Sequence, residues 1–143
     1  MSDAPDTSAP AVPDWPEGTA CVLATAGGPA HAIPVSTAVR LDASTVVFGL
    51  GRRRESLARL KADPRVALCV MAGRDIAFTL TGTTSIVDED LAGVVAVRLD
   101  VDAVEDHMTD DFTIGDGVDW QWTSEKAASR DGDVRDALRA LEA

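Results

Sequence analysis

The sequence predicts a mainly β protein: six antiparallel strands closing into a small barrel, with a short helix between the third and fourth strands and a second helix at the C-terminus. Three observations predict it. Apolar and polar residues alternate through much of the chain with the period of two that a strand imposes. Four of the five strand connections are too short to hold a crossover helix, so neighbouring strands must run antiparallel, and six such strands with bulges commonly close into a barrel. Helical spacing of apolar residues is confined to two segments, 52–64 and 131–143.

Residues 1–14, rich in Pro, Ala, Ser and Asp, read as a disordered arm, and residues 15–143 as a single domain. The first strand is TACVLATA, ending at the turn Gly27-Gly28-Pro29. In the second, AHAIPVSTAVRL, the odd positions Ile33, Val35, Val39 and Leu41 are apolar, and Pro34 marks an edge or a bulge. A turn over residues 41–44 leads into the third strand, with Val46, Phe48 and Leu50 on one side. Leu57 and Leu60 lie three apart in a helix that stops at Asp63-Pro64. RVALCVMAG is a continuous apolar run, the mark of a buried strand. From Asp75 to Val87, residues Ile76, Phe78, Leu80, Thr84 and Ile86 share a face, and Gly82 marks a bulge or tight bend. The sixth strand alternates through Val95, Val97, Leu99, Val101 and Ala103. After an irregular stretch over 105–120, Val134, Leu138 and Leu141 fall at i, i+4 and i+7, with Asp133 as N-cap of the last helix.

A formal charge of −11 argues against general affinity for nucleic acid or anionic membrane. There is no apolar run of about 18 residues to span a bilayer. The first residues are acidic and proline-rich, unlike a signal peptide. Cys21 and Cys69 both sit in apolar runs and read as buried free thiols. A cytoplasmic protein is expected.

Most catalytic templates are missing. The two histidines, His31 and His107, do not form a zinc motif, and there is no CxxC, GxSxG, GxGxxG or P-loop. Asp106, His107, Asp110 and Asp111 read as an acidic solvated loop, and no metal site is expected. What stands out is LGRRRESLARLKADP, a basic knot on an acidic chain. A phosphate needs several directed donors, and a turn entering a helix supplies free N–H groups and a favourable dipole. Arg52, Arg53 and Arg54 would add guanidinium forks, Ser56 a hydroxyl, and Gly51 room for close approach. Three consecutive arginines cannot all point one way, so at most two meet one ligand. The competing reading is a solvated face whose arginines pair with surface carboxylates. Trp120 and Trp122, at i and i+2, share a face if extended, placed either to cap a ligand or to pack.

LATAGGPAHAIPVS, VVFGL, SLARLKADPRVAL and FTLTGTTSIV, in this order and spacing, resemble the flavin-binding split-barrel family related to pyridoxamine 5′-phosphate oxidase. The resemblance covers about Thr19 to Val104. It implies a split barrel, a homodimer with the ligand site between subunits, and flavin mononucleotide (FMN) as cofactor. Ile33, Pro34, Val35 and Ser36 would pass along the flavin ring, and Leu50, Gly51, Arg52, Arg53, Arg54 and Ser56 would meet the phosphate; by its spacing Trp122 would cap the flavin or else pack against the last helix or a second subunit. The sequence departs from the family at Ser56, where a lysine is usual, at Leu50, where threonine is frequent, and at Arg59, where asparagine is common. The arginines would compensate, or mark a relative that takes deazaflavin or haem instead.

The implied activity is an FMN-dependent oxidoreductase acting on a small molecule. In such enzymes the cofactor carries the redox chemistry, so no catalytic triad is required. Pyridoxamine phosphate is disfavoured as substrate because the chain lacks a recognisable substrate-binding extension. The alternative is a non-catalytic ligand-binding or structural dimer with a degenerate flavin site.

Overall fold

The computed structural model describes residues 10–118 and 120–141. Its elements are β1 (Cys21–Thr25), β2 (His31–Val35), β3 (Val39–Asp42), β4 (Thr45–Leu50), α1 (Glu55–Ala62), β5 (Arg65–Ala72), β6 (Ile76–Leu91), β7 (Val94–Asp106) and α2 (Glu125–Arg139). All seven strands form one sheet in the order β2-β1-β5-β6-β7-β4-β3, with antiparallel neighbours throughout. The strands β2 and β3, consecutive in sequence, therefore lie at opposite edges. Four residue steps separate Val35 from Val39, a reach of at most about 14 Å. A flat seven-stranded sheet would hold its edges about 29 Å apart. The sheet must curl until its edges meet, which makes it a split barrel.

The predicted second strand is thus two strands. The chain leaves the ladder at Ser36–Ala38 to cross between the edges, and side chains replace the missing strand pairing. Thr37 Oγ1 accepts from Gly49 N at 2.9 Å and donates to Gly49 O at 3.2 Å. The shared parity of Val35 and Val39 conceals this break. Val35 enters the barrel core with Leu23, Phe48, Leu68, Leu80 and Leu99, whereas Val39 joins Val47, Ala96, Val134 and Leu138 beneath α2. Strand β4 is accordingly buried on both faces.

Two further differences have local causes. In β7 the register passes from Thr81↔Ala103 to Gly82↔Val101, so Asp102 is an extra residue. This bulge reverses the alternation, and Val104, not Ala103, packs on the core. A Cβ at position 82 would overlap the Asp100 carbonyl, which is why glycine stands there. The C-terminal helix begins at Glu125, well before the predicted cap at Asp133, because Ser124 Oγ accepts from Ala127 N and caps an additional polar turn.

Helix α1 buries Leu57 and Leu60 in the barrel core. Arg59 fastens it to the β1–β2 turn, donating to Gly27 O at 2.9 Å and to Pro29 O. Of the residues read as an arm, 1–9 lie outside the described residues. Val12 is buried in the core, and its backbone pairs with Ala43 and the Arg40 side chain, so the ordered chain begins earlier than residue 15. Cys21 and Cys69 are free thiols, the first buried and the second half-buried. Burial, with a smaller contribution from Cys69, pushes the Cys21 thiol up to about 12. No helix among the described residues is long and apolar enough to cross a membrane.

If Thr37 closes the barrel edge, Thr37→Val keeps its shape and deprives both polar groups of Gly49 of their partner. A loss of about 1–3 kcal/mol in urea denaturation is expected. A change below about 0.5 kcal/mol, ordinary for a surface substitution, would contradict this role.

Candidate functional site

The crossover forms one wall of a cavity of about 200 Å³. Ile33, Pro34 and Val35 from β2 supply an apolar side, continued by Ser36 and Thr37. Gly49, Leu50 and Gly51 line the end of β4, and Arg54 closes one end. Trp120 and Trp122 cover it from the segment before α2, with ring centroids 5.6 Å apart and planes inclined at 59°. Their i, i+2 spacing does bring both to one cavity.

Gly51 and Arg54 also line a second cavity of about 550 Å³, together with Arg52, Arg53, Asp90 and Gly93. The two share a boundary and make one groove, narrow and aromatic at one end and wide and cationic at the other. At Gly51 an added Cβ would sit 3.3 Å from Arg54 Cγ, crowding the passage between them.

The three arginines diverge. Arg54 stands at the junction of the cavities. Arg52 Nη2 pairs with Asp90 Oδ1 at 2.7 Å, and this hydrogen bond and charge hold the Asp90 carboxyl below the usual carboxylate range. Arg53 is exposed on the wall of the wide cavity. Ser56 does not join them. Helical phase turns it inward with Leu57 and Leu60, and it is 1% exposed with Oγ unpartnered. Arg54, the N-cap of α1, makes no side-chain cap.

His31 lies away from the groove, its Nε2 3.8 Å from Glu55 Oε2 and its Nδ1 buried without a partner. Glu55 in turn accepts from Arg59 at 2.8 Å, which lowers its carboxyl below the ordinary range. His107 Nε2 lies 2.7 Å from Thr79 Oγ1. Among the described residues, no three His, Cys, Asp or Glu side chains gather as a metal site.

Sequence reasoning missed Thr37 and Gly49 on the cavity wall, and Asp90 and Gly93 on the cationic end. It also missed Asp131, buried in α2, which accepts from Ser36 Oγ at 2.6 Å and pairs with Arg135 Nε at 2.9 Å. The only signal for Asp131 was its position at i−3 from Val134, on the apolar side of the helix.

A curled antiparallel sheet of seven strands flanked by two helices defines the class of split-barrel β proteins. Comparison with known families places the chain within it: residues 11–108 match the profile of pyridoxamine 5′-phosphate oxidase, and the chain belongs to that family. No curated protein matches it. Among solved structures, the HupZ protein of Group A Streptococcus is 14% identical, with TM-score 0.53, over 60% of this chain and 82% of that one. A provisional pyridoxamine 5′-phosphate oxidase of Lactobacillus delbrueckii is 19% identical, with TM-score 0.52, over 60% and 83%. General Stress Protein 26 of Bacillus anthracis is 11% identical, with TM-score 0.51, over 61% and 82%. At these identities the likeness concerns the fold.

Proposed function

We propose that the protein binds FMN in this groove and acts, as a homodimer, as an oxidoreductase of a small molecule. The observation that carries the reading is the convergence of Ile33–Ser36, Leu50, Gly51, Arg54 and Trp122 on one cavity that opens onto an arginine-lined space. An apolar wall and two indoles suit an aromatic ring system. Arg54, at the junction, suits the phosphate of the same molecule, with Arg52 and Arg53 further along the groove. When bound, the flavin supplies the redox chemistry. The chain supplies the apolar walls that exclude water and the guanidinium that anchors the tail. Among the described residues, Arg54 is the only one lining the aromatic cavity that is ionisable.

The narrow cavity, at about 200 Å³, falls below the roughly 300–1,000 Å³ of complete small-molecule sites. A second copy would supply the remaining wall. The outer face of β2, β1, β5 and β6 suits such an approach. Pro34 and Ala32 pair with Val22 and Ala24, which pair with Cys69 and Ala67, and these with Thr79 and Thr81. Met71 extends the patch and is 55% exposed. The residues named carry no charge on a chain of net charge −11, Arg65 and Asp102 border them beside Ala67 and Thr81, and the patch runs into the groove through Pro34.

The buried Ser56, where the family usually has a lysine, favours the second reading, a non-catalytic holder of a flavin, deazaflavin or haem. FMN incubation followed by gel filtration tests cofactor binding. Protein that retains the yellow cofactor is expected, with Arg54→Ala weakening it roughly ten- to hundredfold, the worth of a charged hydrogen bond. Colourless protein, or unchanged affinity in the variant, would contradict the FMN site. Bound flavin that no two-electron donor reduces would select the non-catalytic reading. For the dimer, sedimentation should give twice the chain mass, and Met71→Glu should yield monomer. A wild-type monomer would contradict the assembly.

A further inference from the structure

We propose that Asp131 fixes the polarity of Ser36, so that the groove selects a ring bearing a hydrogen-bond donor, as the imide N–H of a flavin or deazaflavin does. This rests on the reading of the groove as a flavin site and names what its aromatic end recognises. Ser36 lines the narrow cavity and is buried, as is Asp131. A carboxylate paired with a guanidinium is an acceptor only. The 2.6 Å contact between Ser36 Oγ and Asp131 Oδ1 therefore commits the single hydroxyl proton of Ser36 to Asp131. What remains to Ser36 Oγ is lone-pair density, which meets a donor favourably and an acceptor unfavourably.

The arrangement holds that direction. Asp131 cannot reverse its role, because its other oxygen accepts from Arg135 Nε at 2.9 Å. Arg135 lies 3.6 Å from Glu17, which also pairs with Arg139, so the pair is embedded in a charge chain along one face of α2. Helix α2 lies outside the matched residues 11–108. Asp131 touches Ser36 and not the cavity, so it is a positioning residue, and Ser36 is the specificity-determining one.

The test compares FMN with FMN methylated at ring N3, which lacks the imide proton. Fluorescence titration should show wild-type protein preferring FMN by about tenfold, the worth of one hydrogen bond. Ser36→Ala should bring the two ligands within about twofold of each other. Asp131→Asn should do the same without changing the space available. Arg135 would draw the asparagine oxygen, its amide would donate to Ser36 Oγ, and the serine proton would turn towards the cavity. A preference that is merely steric would survive Asp131→Asn and overturn the proposal, as would equal binding of both ligands by the wild type. Should Asp131→Asn fail to fold, the serine variant alone decides: a full preference for FMN in Ser36→Ala overturns the proposal. Binding of neither ligand by the wild type overturns the FMN site itself, and this inference with it. Binding of FMN without preference overturns the inference alone.

Discussion

The structure depends on one crossing. Over Ser36–Ala38 the chain passes from one edge of the sheet to the other, held there by Thr37 on Gly49 and by Ser36 on Asp131. The crossing forces the sheet to curl, because three linking residues cannot span a flat sheet. It sends Val35 into the barrel core and Val39 to the packing surface of α2. It also leaves β2 and the end of β4 facing each other across the narrow cavity. A candidate site thus appears where regular strand pairing stops, and backbone groups released from the ladder are held by side chains instead.

The basic knot is organised by the same local geometry. The turn Gly51–Arg54 follows β4 directly and enters α1, with Arg54 N bonded to Gly51 O at 3.1 Å. Successive residues of a turn point in different directions, so the arginines separate, one to the junction, one to Asp90 and one to solvent. The exposed Arg52–Asp90 pair is worth little to stability. Its consequence is electrostatic: it places a carboxylate on the cationic wall, and Arg54 is left as the guanidinium nearest the aromatic end.

Much of the fold was legible because a barrel strand has one inner face and one outer face, and the alternation of β6 and most of β7 records it. What could not be read were events that preserve or reverse that alternation. The crossing keeps the parity of Val35 and Val39 and so looks like one strand. The bulge opposite Gly82 reverses parity after Val101, although glycine marked its place. The start of α2 is polar and contains Gly132, so apolar spacing did not show it. In the site, Ile33–Ser36 and Leu50 came from the family resemblance, Gly51 and Arg54 from the basic turn before a helix, and Trp122 from its spacing to Trp120, and these fall together in space. Ser56 does not, and its phase with Leu60, four residues on, already placed it on the inner face of α1. The role of Asp131 could not be read, because its place beside Val134 on the apolar side of the helix hints at burial and no local pattern signals a partner 95 residues away.

On the proposed reading, this one groove receives the ring at its indole end and the phosphate at Arg54. A crystal structure of the chain grown with FMN measures it most directly. Flavin density is expected between Ile33–Val35 and Trp122, with the phosphate in hydrogen-bonding reach of the Arg54 guanidinium and a second copy completing the wall beside Pro34. Flavin seated elsewhere on the barrel, or a groove that stays empty at saturating FMN, would contradict it.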